Sequence, residues 1–217
     1  MEKQKPKNSV LVICAHSDDQ IFGPGATLAK YAKEKHNIYT VILSYGENSL
    51  PWLKKEVAIK TRVKEAEQAD KIIGGRGVVF CNLKENKFLK QANTAENIIK
   101  NIIKARKPSK IFTHNPDDPH PDHRATYKII TNILEKIKYH GDVYAFDVWS
   151  PFSIRKTNLP KLYVDVTETF PLKVKALKIF ESQKASLLVL FWSVYVRAFV
   201  HGSTIHTKYA ERFFKLK

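Results

Sequence analysis

The sequence predicts an α/β fold in which a mostly parallel sheet is covered by helices on both faces. Strand-like and helix-like segments alternate along the chain, as they do in sheets built from crossover connections. Residues 10–15 form an uninterrupted apolar run, which is typical of a strand buried on both faces. A chain of 217 residues with 43% hydrophobic residues can bury one substantial core. We therefore expect a single Rossmann-like domain over residues 1–217.

Short apolar runs bounded by turn residues predict six strands. These strands cover residues 10–15, 38–43, 78–82, 110–113, 143–149 and 162–166. Apolar residues at helical spacing predict helices between them, at residues 25–35, 52–73, 94–104 and 124–137. The glycines at 74 and 75 end the second helix, and the turn-forming residues 115–119 make a rigid loop after the fourth strand.

The C-terminal third contains a segment, residues 187–200, that is apolar around nearly the whole helical circumference. Its 14 residues are too few to span a bilayer. One interpretation is a buried helix or the interface of a homo-oligomer. The other is an interfacial segment that meets lipid, with Lys184, Arg197 and Lys208 at the headgroups. The sequence leaves both interpretations open.

The chain is strongly basic, with 37 Lys and Arg against 21 Asp and Glu and a formal charge of +16. This charge favours anionic partners such as an anionic membrane or a phosphorylated substrate, although a Lys-rich solvated surface explains it equally well. The basic residues are spread along the chain and no nucleic-acid-binding signature accompanies them. We therefore expect no nucleic acid partner.

The cysteines and the N-terminus indicate the compartment. Cys14 and Cys81 both lie in strand-like apolar segments, so we expect buried thiols rather than a disulfide. Residues 1–8 are polar and basic, and the apolar run after them is too short for a signal peptide. A cytoplasmic protein is expected, and the interfacial alternative would place it against the cytoplasmic face of a membrane.

Two polar clusters follow predicted strands and contain the residue types of a catalytic zinc site. A hydrolytic zinc ion takes three nitrogen or oxygen ligands and keeps an open position for water. His16 and Asp19 are three residues apart in the turn after the first strand, so both can reach one ion. His123, at the start of the helix after the loop 115–119, can supply the third ligand. We expect Zn²⁺ as the cofactor.

The remaining residues of the clusters can supply the other catalytic groups that a zinc hydrolase needs. Asp18 is the candidate general base, and His120 is a protonated or hydrogen-bonding imidazole that faces the oxyanion and the leaving group. Asp122 could orient or charge-stabilise His120, as carboxylates do for imidazoles. His114 and His140 are assigned structural roles, because a lone histidine is more often structural than catalytic.

The two clusters also carry a family resemblance. His16-Ser17-Asp18-Asp19-Gln20 and His120-Pro121-Asp122-His123 resemble the paired metal motifs of the LmbE/PIG-L superfamily of zinc-dependent N-deacetylases. Further similarity lies in the glycine-rich residues 23–28, the Arg-x-x-Glu pattern that begins at Arg62, residues 175–183 and residues 209–213. The resemblance implies an LmbE/PIG-L-like fold over nearly the whole chain.

The resemblance implies the same site assignments as the chemistry does. It gives His16, Asp19 and His123 as zinc ligands, Asp18 as general base, and His120 as oxyanion stabiliser or general acid.

The resemblance adds one substrate contact and shows two departures. It implies that Arg62 meets the substrate. Ser17 stands where the family usually has proline, which loosens the turn without changing a ligand. Gln20 stands where a glutamate is frequent, and we expect its amide to bind a sugar hydroxyl and to alter specificity.

The expected activity is that of a zinc-dependent amide hydrolase, acting on carbon–nitrogen bonds other than peptide bonds. It would remove the N-acetyl group from an N-acetylglucosaminyl (2-acetamido sugar) substrate, with a slight preference for an anionic or lipid-linked one. The alternative is a catalytically weak relative that binds a sugar or lipid on the same fold. A divalent-metal phosphohydrolase is a third interpretation, which the two histidine ligands disfavour because Mg²⁺ prefers oxygen.

Overall fold

A computed structural model describes residues 8–148 and 158–217 of the chain. Within these residues the strands are β1 (Ser9–Cys14), β2 (Asn37–Ile42), β3 (Val78–Phe80), β4 (Pro108–His114), β5 (Asp142–Phe146), β6 (Lys161–Asp165) and β7 (Ala210–Lys215). The helices are α1 (Asp19–Phe22), α2 (Gly25–Lys33), α3 (Lys55–Ile72), α4 (Ala92–Arg106), α5 (Pro121–Lys136), α6 (Phe170–Leu177) and α7 (Lys184–Thr204). Short 3-10 turns lie at Glu47–Ser49, Phe88–Gln91 and Glu181–Gln183.

The described strands form one sheet in the order β3-β2-β1-β4-β5-β7-β6. The first five strands are parallel, and β7 runs antiparallel between β5 and β6. This confirms the predicted α/β class with a mostly parallel sheet. The strand order reverses between β1 and β4, and open α/β sheets bind ligands at the carboxyl ends of the strands at such a point.

Both faces of the sheet are buried, because alternate residues of β1 belong to two different cores. Val10 and Val12 pack in the core that contains residues of α2, α3, α6 and α7. Leu11 and Ile13 pack in the core that contains residues of α4 and α5. Cys14 and Cys81 are buried free thiols, as predicted.

Some element bounds differ from the prediction. The helix expected from residue 52 begins at Lys55, because Leu50 and Leu53 close a separate hydrogen-bonded turn before it. The strand β7 is missing from the prediction, since the segment lacks a long apolar run and is defined by its pairing with β5 and β6. The expected end of the fifth strand at Trp149 lies outside the described residues, as do residues 1–7.

The prediction that the apolar segment at residues 187–200 is too short to cross a membrane is wrong, because the helix α7 extends beyond that segment at both ends. It has 21 residues, and the window Leu187–Thr204 is, in the described part of the chain, the one that is long and apolar enough for a span by length and composition. Only 28% of this window is buried in the fold.

Candidate active site

The site lies where two turns meet at the carboxyl ends of neighbouring parallel strands. The turn after β1 carries His16, Asp18 and Asp19 into α1, and the loop after β4 carries His120 to the start of α5. Since β1 and β4 pair directly, the two turns lie side by side. The sheet therefore brings together the two clusters that the sequence places about a hundred residues apart.

The closest contact between the two clusters joins Asp19 and His123. Oδ1 of Asp19 lies 3.2 Å from Nε2 of His123. The other oxygen of Asp19 accepts the main-chain N–H of His16 at 2.8 Å, which fixes the carboxylate. On the far side of its ring, Nδ1 of His123 lies 2.9 Å from Oδ1 of the buried Asp118. Both partners are therefore held in place.

This pair has the spacing of two ligands on one zinc ion. Zinc bonds to histidine and carboxylate near 2.1 Å place two tetrahedral ligands about 3.4 Å apart. Nε2 of His123 is buried and has no hydrogen-bond partner among the described residues. Potential ligand atoms within 4.8 Å of one another form two groups that share His123: one with His16 and His120, the other with Asp19 and His114. Imidazole nitrogens and a carboxylate oxygen are donors that fit a zinc ion. Of the three predicted ligands, His16 lies in the first group, Asp19 in the second, and His123 in both.

Asp122 occupies a position different from the predicted one. Its Oδ2 lies 3.4 Å from Nε2 of His16, so the carboxylate faces a candidate metal ligand rather than the ring of His120. The main-chain N–H of Asn86 donates to both carboxylate oxygens, which holds the side chain toward the turn before the Phe88–Gln91 3-10 helix. Glu85 approaches the same nitrogen of His16 at 3.7 Å. The prediction that the Asp122 carboxylate orients His120 is corrected accordingly.

His120 forms the N-cap of α5. Its Nδ1 accepts the main-chain N–H of Asp122 at 3.2 Å. Burial, together with the neighbouring His123 and His16, lowers the pKa of His120 to about 4. A neutral ring whose Nδ1 is an acceptor carries its proton on Nε2. Of the two predicted forms, the structure favours the neutral hydrogen-bond donor over the protonated imidazole.

His114 lies in the site, although the sequence predicts only a structural role for it. At the end of β4 it is fully buried, stacks on His123 with ring centroids 3.9 Å apart, and lies 3.2 Å from Oδ2 of Asp19. Its Nε2 accepts the main-chain N–H of Ala15 at 3.0 Å. Burial beside His123 lowers its pKa to about 4. Because the Nε2 lone pair already accepts this hydrogen bond, it is not free to bind a metal ion. His114 therefore supports the candidate ligands Asp19 and His123 rather than acting as a ligand through Nε2. Its position as the last residue of β4 was the available signal.

The electrostatics of the site favour a bound cation. Burial lowers the pKa of His16, but Asp122 and Asp19 outweigh burial and raise it to about 9. Burial likewise lowers the pKa of His123, while Asp19 and Asp118 raise it to about 10. Without a metal ion these carboxylates would therefore hold protons on the two rings, and a divalent ion would displace them.

Asp18 and Arg62 lie beside the candidate metal ligands. Burial raises the pKa of the Asp18 carboxyl above its usual value, and the Arg62 guanidinium opposes this shift. Nη2 of Arg62 lies 3.9 Å from Oδ1 of Asp18. Nε of Arg62 donates to the carbonyl of Tyr45, and Nη1 has no hydrogen-bond partner among the described residues. Arg62 itself is among the residues that line the pocket described below.

The backbone at Gly46 makes room for this guanidinium. Gly46 has a φ of +71°, and a Cβ atom there would lie 2.7 Å from Nη2 of Arg62. Three residues along α3 from Arg62, the Glu65 carboxylate accepts the N–H and hydroxyl of Ser182. The Arg-x-x-Glu pattern therefore places one residue in the site and ties the other to the segment before α7.

Asp18 and His120 line a pocket of about 130 Å³, whereas Asp122 and His123 are not among its lining residues. Its polar wall contains His16, Asp18, Asp19, Arg62, Glu85 and His120. Phe22, Val148 and Leu190 form the apolar wall. Gln183 donates to Ser49 at 2.9 Å, and both residues line the pocket.

The structure contradicts the predicted substrate contact of Gln20. This side chain is fully buried, and its amide donates to the carbonyl of Ser17 at 2.8 Å. Its Oε1 lies 3.7 Å from the thiol of Cys14, on the inner side of the turn. Because α1 packs directly on the core, residue 20 points away from the pocket and instead supports the turn that carries Asp18 and Asp19.

Comparisons with known proteins relate the chain to deacetylases and to one hydratase. An uncharacterised deacetylase of Escherichia coli, YaiS, is 27% identical over 178 residues, which cover 79% of this chain and 90% of YaiS. The 4-oxalmesaconate hydratase of Pseudomonas putida is 24% identical over 211 residues, covering 88% of this chain and 78% of the hydratase.

A solved structure shows the same fold. The N,N'-diacetylchitobiose deacetylase from Pyrococcus horikoshii, complexed with its inhibitor MPG, superposes with a TM-score of 0.80 at 20% identity. The match covers 100% of this chain and 87% of that protein.

The family model described as PIG-L, GlcNAc-PI de-N-acetylase, matches residues 11–134, more than half of the chain. This range includes both turns of the site and Arg62. The chain therefore belongs to the PIG-L (GlcNAc-PI de-N-acetylase) family.

Proposed function

We propose that this protein is a zinc-dependent amide hydrolase that removes the acetyl group from a 2-acetamido sugar. The observation that carries the proposal is the 3.2 Å contact between Asp19 and His123, together with the buried carboxylate of Asp18, which lines one pocket with Asp19. Deacetylase relatives support a hydrolase that acts on amides.

His16, Asp19 and His123 would hold the metal ion. When bound, zinc would lower the pKa of a water molecule and polarise the amide carbonyl. The carboxylate of Asp122, 3.4 Å from Nε2 of His16, would fix the orientation of that ring. His114 would hold the turn after β1 against the end of β4 through its bond from Ala15.

The remaining residues would handle protons and substrate. Asp18 would accept a proton from the attacking water and return it to the amine nitrogen as the carbon–nitrogen bond breaks. Its raised pKa suits this role because a base works best near the ambient pH. Nε2–H of His120 would donate to the oxygen that gains negative charge. Nη1 of Arg62 would bind a polar group of the sugar. The net charge of +16 favours an anionic group elsewhere on the substrate.

The test is a deacetylation screen. Zinc-loaded protein is incubated with a panel of neutral and anionic N-acetylglucosaminyl compounds, and mass spectrometry follows the free amine and acetate. We expect one zinc per chain and acetate release from at least one compound. One zinc per chain with saturable sugar binding and no acetate release would instead identify a binding protein.

Hydration of an unsaturated acid is a second candidate, because a hydratase aligns with 88% of this chain. A general base beside a metal site can activate water for either reaction. Including 4-oxalmesaconate in the screen separates the two, since hydration consumes it without releasing acetate.

A further inference from the structure

The outer face of α7 is apolar from Leu188 to Val200. Exposed apolar side chains run over about 18 Å of helix, at 1.5 Å per residue. They are Leu188, Val189, Trp192, Tyr195, Val196, Phe199 and Val200. Leu188, at 82%, is the most exposed large hydrophobic residue in the described part of the chain. A contiguous apolar surface of this kind marks an interaction site.

A second exposed apolar element lies next to the start of this helix. Trp52 is 74% exposed and Leu53 is 38% exposed, in the turn before α3. The hydrogen bond from Gln183 to Ser49 joins this turn to the residue that precedes α7. We define the apolar rim as the exposed α7 residues together with Trp52 and Leu53, whose segments this hydrogen bond joins.

The segments that carry the apolar rim also form part of the wall of the candidate active site. Leu190 from the inner side of α7 lines the catalytic pocket, as do Gln183 and Ser49. A partner that covers the rim would thus meet the pocket opening as well.

The charges around the rim favour an anionic partner. A groove of about 560 Å³ lies between Leu187, Leu188, Phe191 and Trp192, with Lys178 and Lys184 at its edge and Glu181 as its single acidic residue. The helix α7 contains neither Asp nor Glu. A second copy of a chain with charge +16 would bring like charges together, whereas anionic headgroups would neutralise them. Exposed tryptophans also suit the headgroup level of a bilayer.

The inner face of α7 indicates that the helix lies on the bilayer rather than crossing it. Leu190, Val194 and Ala198 are buried at four-residue intervals in the core shared with β1 and α2. A crossing helix would have to leave this core and expose it.

From these observations we infer that the apolar rim docks the protein on the surface of an anionic lipid bilayer, with the active-site mouth facing the membrane. The groove beside Lys178 and Lys184 accepts part of an acyl chain, and the two lysines contact the headgroup. The binding combines buried apolar area with electrostatic attraction, as interfacial helices do.

Vesicle flotation tests this inference with the full chain. We expect flotation with phosphatidylcholine vesicles that contain phosphatidylglycerol and much less with phosphatidylcholine alone. Leu188→Ser should weaken vesicle affinity about tenfold, because it removes a leucine side chain that would be buried in lipid. Trp52→Ser should weaken it similarly.

Leu89→Ser is the matched control. Leu89 is 55% exposed, but its 3-10 turn packs on the opposite face of the sheet through Phe88. Leu89→Ser should bind vesicles as the unchanged protein does. Equal binding by Leu188→Ser and Leu89→Ser would overturn the inference, because it would mean attraction by charge alone. Circular dichroism melts verify that each variant folds.

Two further results would contradict the inference. One is a concentration-dependent dimer in light scattering that Leu188→Ser dissociates, without vesicle binding, since the rim would then be covered by a second copy. The other is resistance of the bound protein to alkaline carbonate extraction, which indicates a spanning helix. Because flotation does not require turnover, failure of the deacetylation screen would leave this inference standing.

Discussion

Nε2 of His16 lies 3.4 Å from the carboxylate of Asp122, on the side of the ring away from Asp19. A carboxylate in this position raises the basicity of a metal-binding imidazole and fixes its orientation. Asp122→Asn should therefore weaken zinc affinity by about 10- to 100-fold. The variant keeps the main-chain N–H of residue 122, which donates to Nδ1 of His120 at the N-cap of α5. Competition with a fluorescent chelator measures the affinity. Asp117→Asn, at an exposed position in the loop that precedes α5, is the control, and equal affinities of the two variants would refute the assignment.

Asp18→Ala tests whether Asp18 acts as the general base or as a metal ligand. We expect acetate release to fall by about 10²- to 10⁴-fold, the contribution of a general base, while zinc content stays near that of the unchanged protein. Elemental analysis of the purified variant gives the zinc content. Loss of zinc together with activity would instead make Asp18 a ligand.

Gly46→Ala tests the placement of Arg62. The new Cβ would clash with the guanidinium, and φ at this position is +71°. We expect a loss of about 1 kcal/mol in unfolding free energy from the backbone conformation, and a raised KM because Arg62 is displaced. Gly77→Ala is the control, since Gly77 has φ +131° with nothing within 4 Å of a new Cβ. It should lower stability without raising KM, and a KM increase in both variants would count against a role for Arg62.

Lys173→Met tests a buried ion pair that joins α6 to β7. Nζ of Lys173 lies 2.6 Å from Oε1 of Glu211, and this carboxylate also accepts the N–H groups of Ala26 and Thr27 at the start of α2. Removing the lysine leaves a buried carboxylate without its cation, which costs about 3 to 5 kcal/mol. Urea unfolding measures the loss. Adding Glu211→Gln should recover part of it, and a neutral single variant would show that the pair contributes little.

The stability should fall in acid because of His201. Burial, together with Arg212 and Arg197, lowers the pKa of this histidine from 6.5 to about 3. The unfolded chain then binds a proton that the folded chain does not, so stability is full above pH 6.5 and declines as the pH falls toward 3. His201→Gln should flatten this part of the curve in urea titrations between pH 7 and 4.

The alternating strands and helices could be predicted because their periodicity is a local property of the sequence. The five parallel strands fall within a few residues of the predicted positions, and so do the helices α2, α4 and α5. The strand β7 could not be found, because Ala210–Lys215 becomes a strand through hydrogen bonds to β5 and β6. The length of α7 was also missed, since polar residues at both ends hide the helical continuation.

The candidate site was predictable to the level of residue types. The spacing of His16 and Asp19, and the repetition of His and Asp at 120–123, point to ligands for one metal ion. The partners of each side chain were less accessible. Asp122 turns toward His16 rather than His120, and Gln20 turns into the core rather than the pocket. Such orientations depend on hydrogen bonds to Asn86 and Ser17 that no spacing reveals.

The sequence by itself determined the fold class, the two polar clusters, the basic net charge and the apolar segment at residues 187–200. These follow from local pattern and composition. Only the tertiary structure decided which atoms meet: that Asp19 and His123 lie 3.2 Å apart, that His114 supports them, and that one side of α7 stays exposed. The physical reason is that β1 and β4 pair across about a hundred residues, and that packing against the core selects which face of an all-apolar helix is buried.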